Sequence, residues 1–202
     1  GGAAWQLAAL GAALLAGLSQ GNGFLVLLVG CAFLLFERRW IWAAAWAVVT
    51  IAFLALYFVS YVPVVGNTDP VASLGRPHEV LLFGLIFSGS ALGYPVESGP
   101  LALAMMAACA VLGLLLWALV LRTFIVARFR SADPLLWFSV FLIASGCLAA
   151  LSRLDTGFIQ AMTPRYHVNS CLLIASCVLM LATSRDGSKI AAITRRAMPL
   201  LA

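Results

Sequence analysis

The sequence predicts an all-α, polytopic helical membrane protein with about six transmembrane helices and one re-entrant or interfacial half-helix. Of its 202 residues, 64% are hydrophobic and only 9% are charged, against roughly a quarter charged in an ordinary soluble domain. Mean hydropathy is +1.08, more apolar surface than a soluble fold can hide. The apolar residues come in runs separated by short polar segments, and in hydrocarbon each spanning segment must satisfy its own backbone groups. Runs such as FLVLLVGCAFLLF do not alternate apolar with polar residues, which excludes a β-barrel.

The first run, Ala3 to Leu18, ends at the turn SQGNG, and the second covers Phe24 to Phe36 before Glu37-Arg38-Arg39. Both are shorter than the roughly 20 residues of an unaided span. Either the first continues upstream or SQGNG dips below the membrane surface, where a turn must be buried in protein or line a wet cavity. A plain hairpin turn is the simpler alternative. The chain opens without an initiator Met or a basic signal-peptide segment and reads as a piece of a longer protein.

The third run, Trp40 to Tyr61, is long enough to cross. Trp40, Trp42 and Trp46 at one end, with Tyr57 and Tyr61 at the other, are expected to form interfacial belts. The segment VPVVGNTDPVASLGRPHEV follows, and its three prolines and two glycines forbid a continuous helix. Val80 to Leu92 suits a half-helix better than a span. Three further runs, Pro100 to Leu121, Pro134 to Leu151 and Pro164 to Thr183, each start with proline at the first helical position. Asp133 and Thr163 are the expected N-caps of the last two. Ala13 with Gly17, Cys109 with Gly113, and Gly146 with Ala150 are spaced for close helix packing.

The net charge of +5 falls mainly in short segments beside apolar runs. It therefore reads as a determinant of membrane orientation rather than as a nucleic-acid surface. If the half-helix does not cross, Arg38-Arg39, the RTFIVARFR segment and the basic tail all share one side. By that rule both termini are cytoplasmic, with residues 1–183 the transmembrane domain and 184–202 a basic cytoplasmic tail contacting anionic lipid. No metal or cofactor is expected: the five cysteines lie within apolar runs and form no CxxC pair. No nucleotide-binding or nucleophile-elbow motif occurs with its required context.

The polar groups of the opposite, outer side are Gln20, Asn22, Asp69, Arg76, His78, Glu79, Glu97, Arg153, Asp155, Gln160, Arg165, Tyr166, His167 and Asn169. The densest stretch is SRLDTGFIQAMTPRYHVNS. A helix starting at Pro164 turns its free N–H groups and positive dipole end outward, where Arg165 and His167 stand, a setting suited to phosphate or carboxylate. Arg165 and Asn169 share a helix face, and Arg153 lies a short connection away. The alternative is that Arg153 and Arg165 pair with Asp155, or snorkel to lipid headgroups, and so fix the loop. Asp69, Glu79 and His167 are candidate acid–base groups, although no spacing identifies a catalytic pair.

The order of SQGNGF, ERRW, YFVSYVPVV, a half-helix and DTGFIQAMTPRYHVNSCLL resembles bacterial polytopic inner-membrane proteins similar to membrane glycosyltransferases of the GT-C class and other surface-polysaccharide proteins. The resemblance implies a role in cell-envelope glycan assembly, with a polyprenyl-phosphate-linked sugar bound on the extracytoplasmic side. Gln20 and Asn22 would line that cavity, and Arg165 and Tyr166 would contact phosphate or sugar. GT-C enzymes carry a catalytic acid in an early extracytoplasmic loop, and nothing here occupies that role. Three readings stay open: a transferase part, a non-enzymatic subunit scaffolding a larger membrane complex, and an O-antigen ligase-like or polymerase-like protein. Membrane lipids and other membrane subunits are the expected partners.

Overall fold

The computed structural model describes residues 2–19, 23–59, 70–93, 99–126 and 133–183, which contain helices and turns but no strand. The helices are α1 (Gly2–Ser19), α2 (Phe24–Phe36), α3 (Trp40–Val59), α4 (Pro70–Leu74), α5 (Pro77–Ser88), α6 (Pro100–Val126), α7 (Pro134–Arg153) and α8 (Pro164–Thr183). Among the described residues, four segments are long and apolar enough to cross a membrane: Trp40–Tyr57, Pro100–Val126, Pro134–Thr156 and Pro164–Ala182. Ala3–Leu18, Phe24–Phe36 and Pro77–Ser88 are shorter. The 13 residues of α2 rise only about 20 Å, against a hydrocarbon core of about 30 Å. Length and composition thus support four spans, where about six were expected.

Proline starts α5 through α8. The Asp133 carboxylate accepts the Leu135 N–H at 2.9 Å and caps α7. The Thr163 hydroxyl instead donates to the Gln160 carbonyl at 3.0 Å. The half-helix begins at Pro77 rather than Val80, because a proline that breaks a preceding segment also fits the first turn of the next helix. It ends at Ser88, and a 3-10 turn, Ser90–Leu92, follows.

The turn between α2 and α3 closes with Arg39 N–H on the Leu34 carbonyl at 2.9 Å and Arg38 N–H on the Leu35 carbonyl at 3.0 Å. Arg38 takes a φ of 56°, the left-handed position that such a helix end normally gives to glycine. An arginine there costs on the order of 1 kcal/mol.

Side chains of α1, α2 and α3 form one core, with Ala13, Leu27, Leu34, Ala43 and Trp46 at its centre. Trp46 is therefore not part of an interfacial belt. Gly30 of α2 makes room for it, since a methyl group there would stand 2.1 Å from the Trp46 ring. Trp40 remains exposed, and Tyr61 lies outside the described residues. A second core joins α6, α7 and α8 through Leu116, Leu136, Leu142, Leu173 and Cys177.

A third core is built around α5, with Phe83, Ile86 and Phe87 packed on Cys109, Ala150 and Met162. Backbone meets backbone where α5 crosses α6. A methyl at Gly89 would lie 2.0 Å from the Cys109 carbonyl oxygen, and one at Gly113 would lie 2.0 Å from the Leu85 carbonyl oxygen. The Cys109/Gly113 spacing legible in the sequence is thus a close-packing site, and Gly146 likewise receives the Phe87 ring.

The two ends of the bundle are distinct. Phe36 and Phe124 set their rings against Trp137 at centroid distances of 4.9 and 5.7 Å, so the α2–α3 turn, the end of α6 and the start of α7 share one end. Arg76, before α5, bonds Asp155, beyond α7, at 2.6 Å, which places the start of α5 at the other end. The Ser170 hydroxyl reaches the Ser88 carbonyl at 2.6 Å. Ser170 is only six residues into α8, so the tip of α5 lies about 9 Å along it. Helix α5 therefore ends inside the bundle.

Candidate functional site

At the end of the bundle marked by Arg76 and Asp155, a mouth forms where α5 meets the connector between α7 and α8. That connector is two 3-10 turns, Leu154–Thr156 and Phe158–Met162, hinged at Gly157, whose φ of 89° is one that side chains rarely allow. Arg76 Nη2 donates to Asp155 Oδ1 at 2.6 Å, and Arg76 Nη1 lies 3.6 Å from Glu79 Oε2. The Asp155 hydrogen bond, with the nearby charges of Asp155 and Glu79, holds the Arg76 guanidinium above its ordinary pKa despite some desolvation. The partner of Asp155 is thus Arg76 and not Arg153 or Arg165. The start at Pro77 sets Arg76 over the connector, whereas Arg165 stands on the first turn of α8.

Arg165 is exposed, with Nη2 donating to Gln160 Oε1 at a long 3.4 Å and Cζ lying 5.1 Å from the Tyr166 ring centroid. Tyr166 is half-buried, its ring 4.8 Å from that of Phe87 on α5. His167 Nε2 is 3.0 Å from the Met162 carbonyl, and since a carbonyl only accepts, Nε2 carries the proton. Asn169 is half-buried one turn below Arg165. Arg153 is also half-buried, and its guanidinium has no ion pair or hydrogen bond among the described residues. Gln20, Asn22 and Asp69 lie outside the described residues. Among the other expected groups, the structure brings Glu79 to Arg76, and Arg165, Tyr166 and His167 to the connector and α5.

Below the mouth lies a hydroxyl network that the sequence did not single out. The Ser170 hydroxyl donates to the Ser88 carbonyl and accepts the Ala91 N–H at 3.0 Å, tying α8 to the turn after α5. Trp117 Nε1 donates to Ser88 Oγ at 2.8 Å, and Ser88 Oγ donates to the Gly84 carbonyl at 2.8 Å. Ser73 Oγ donates to the Leu151 carbonyl at 3.0 Å, fixing α4 to α7. Ser90 is fully buried, and its hydroxyl has no partner among the described residues. Buried serines in apolar helices are the sequence signal for such a network. Arg76 was legible only as a loop arginine, because its partner lies 79 residues away.

Among the described residues no group of three or more His, Cys, Asp or Glu could hold a metal ion. No protein-family model, curated protein or solved structure matches the chain. The structure defines a helical protein with four helices suited to crossing a membrane and a polar mouth clasping a short, inward-ending helix.

Proposed function

We propose that the chain is a non-enzymatic membrane subunit whose outer-end polar groups act as a clasp. One observation carries this: Arg76 bridges Asp155 and Glu79, joining the start of α5 to the α7–α8 connector. Arg165 and His167 bond to that same connector. Glu79 and His167, two of the groups expected to do acid–base work, are thereby engaged in this clasp, while Asp69 lies outside the described residues. In this reading α5 is re-entrant, α1 and α2 complete a total of six crossings, and the basic end faces the cytoplasm of a bacterial inner membrane with both termini inside.

A second reading, binding of a polyprenyl-phosphate-linked sugar for glycan assembly as the GT-C resemblance implies, draws on a different observation. Among the described residues, the start of α5, the end of α7 and the start of α8 carry three arginines, Arg76, Arg153 and Arg165, and two carboxylates, Glu79 and Asp155, both of them paired with Arg76. Arg153 has no acid of its own among the described residues, so the excess positive charge suits a phosphate. Binding of a polyprenyl phosphate to the full chain in nanodiscs at two salt concentrations separates the two readings. Saturable binding lost in Arg153→Gln or Arg165→Ala supports the lipid-linked substrate. Equal, weak binding by all three proteins supports the clasp, and co-purification from native membranes then seeks the partner subunit.

A further inference from the structure

At the opposite end of the bundle lie two hollows. One, about 520 Å³, is lined by Arg38, Arg39, Trp40, Ile41 and Trp42 at the α2–α3 turn. The other, about 410 Å³, is an apolar cleft between α2, α3 and α7, walled by Val29, Phe33, Trp46, Trp137 and Phe141 among others. Trp42 and Trp46 are four residues apart on α3, and Phe36, just before the turn, packs on Trp137 of the cleft at 4.9 Å. One helical turn therefore separates a basic, tryptophan-rimmed hollow from a hydrocarbon-lined cleft. Both volumes fall in the range of roughly 300–1,000 Å³ usual for ligand sites.

We propose that the two hollows together hold one anionic glycerophospholipid, its phosphate at Arg38 and Arg39 and one acyl chain in the cleft. Charge complementarity selects the headgroup: Glu37, 3.5 Å from Arg39 Nε, offsets one of the two arginines and leaves one net positive charge for a lipid with a single negative charge. The chain keeps an arginine at position 38 in a left-handed backbone conformation, where glycine would be relaxed. The α3 side of the cleft is closed by Trp46, which is 5% exposed and whose Nε1 has no acceptor among the described residues. A lipid with no net headgroup charge would fill the cleft equally well but gain nothing at the arginines.

The test uses the full chain reconstituted in nanodiscs of equal phosphatidylglycerol and phosphatidylcholine, extracted in mild detergent and weighed by native mass spectrometry. The expected result is preferential retention of one phosphatidylglycerol, by about fivefold for one uncompensated arginine near the surface. Arg38→Gly preserves the left-handed turn and abolishes the preference, and Val29→Trp, which fills the cleft, reduces retention of both lipids. Equal retention of the two lipids by the unsubstituted protein overturns the proposal, as does an unchanged preference in Arg38→Gly. Displacement of the lipid by millimolar inorganic phosphate also overturns it, because the site then reads a free anion.

Discussion

Arg76 donates to Asp155 at 2.6 Å across 79 residues of sequence, and this contact holds the start of α5 against the end of α7. The side chains remain partly exposed, 35% and 57%, so the coupling is screened by solvent. Arg76→Gln and Asp155→Asn are each expected to lower the unfolding temperature in detergent slightly, with the double substitution no worse than the sum of the two. The coupling between them should shrink as salt rises from about 0.05 to about 0.5 M. A double substitution that costs the full sum at low salt, with no coupling, would mean that the two side chains act through separate contacts.

Close approach between α5 and α6 is a larger constraint. Gly89→Val and Gly113→Val push a side chain into a facing carbonyl, and overpacking of this kind costs about 1–3 kcal/mol or more. Gly11 of α1 has nothing within 4 Å of an added methyl group, so Gly11→Ala should be neutral or stabilise by up to about 1 kcal/mol through helix propensity. Thermal unfolding of the three variants in one detergent reads the contrast. Similar losses in all three would remove the α5–α6 crossing as the sensitive point.

Much of this architecture was legible in the sequence for plain physical reasons. Proline at the first helical position gave the starts of α6, α7 and α8, and Asp133 caps α7 as expected. Pro77 was read as a breaker because proline marks both the end of one segment and the beginning of the next. Trp46 was assigned to a belt because sequence spacing does not show that Gly30, on another helix, leaves it a socket. At the mouth, Arg165, Tyr166 and His167 were found from their density along the chain. Arg76 and Ser88 were missed because their partners, Asp155 and Ser170, are distant in sequence.

Two serines at the tip of α5 should respond in opposite ways. Ser170→Ala strands the part-buried Ala91 N–H and removes a donor from the buried Ser88 carbonyl, and an unsatisfied buried group costs about 1–3 kcal/mol. Ser90 is buried with a hydroxyl that has no partner among the described residues, so Ser90→Ala removes an uncompensated polar group and should leave stability unchanged or raise it. Chemical or thermal unfolding of the two variants side by side tests this. A loss in Ser90→Ala as large as that in Ser170→Ala would show that the Ser90 hydroxyl is satisfied by something bound there.

The two-ended geometry makes a prediction about sidedness. Phe36 and Phe124 both rest on Trp137, which gathers Arg38, Arg39 and Arg122 at one end, while Arg76 and Asp155 mark the other. Short segments rich in arginine stay on the cytoplasmic side, so cysteines placed at Arg39 and Arg122 should be labelled by a membrane-impermeant maleimide only after the membrane is opened. Cysteines placed at the exposed His78 and Thr156 should be labelled in intact cells. The background for this experiment replaces Cys31, Cys109, Cys147, Cys171 and Cys177, all of which are free. Labelling of positions 39 and 78 from the same side would mean that α3 does not carry the chain across, and that α6 through α8 alone define the membrane-crossing unit.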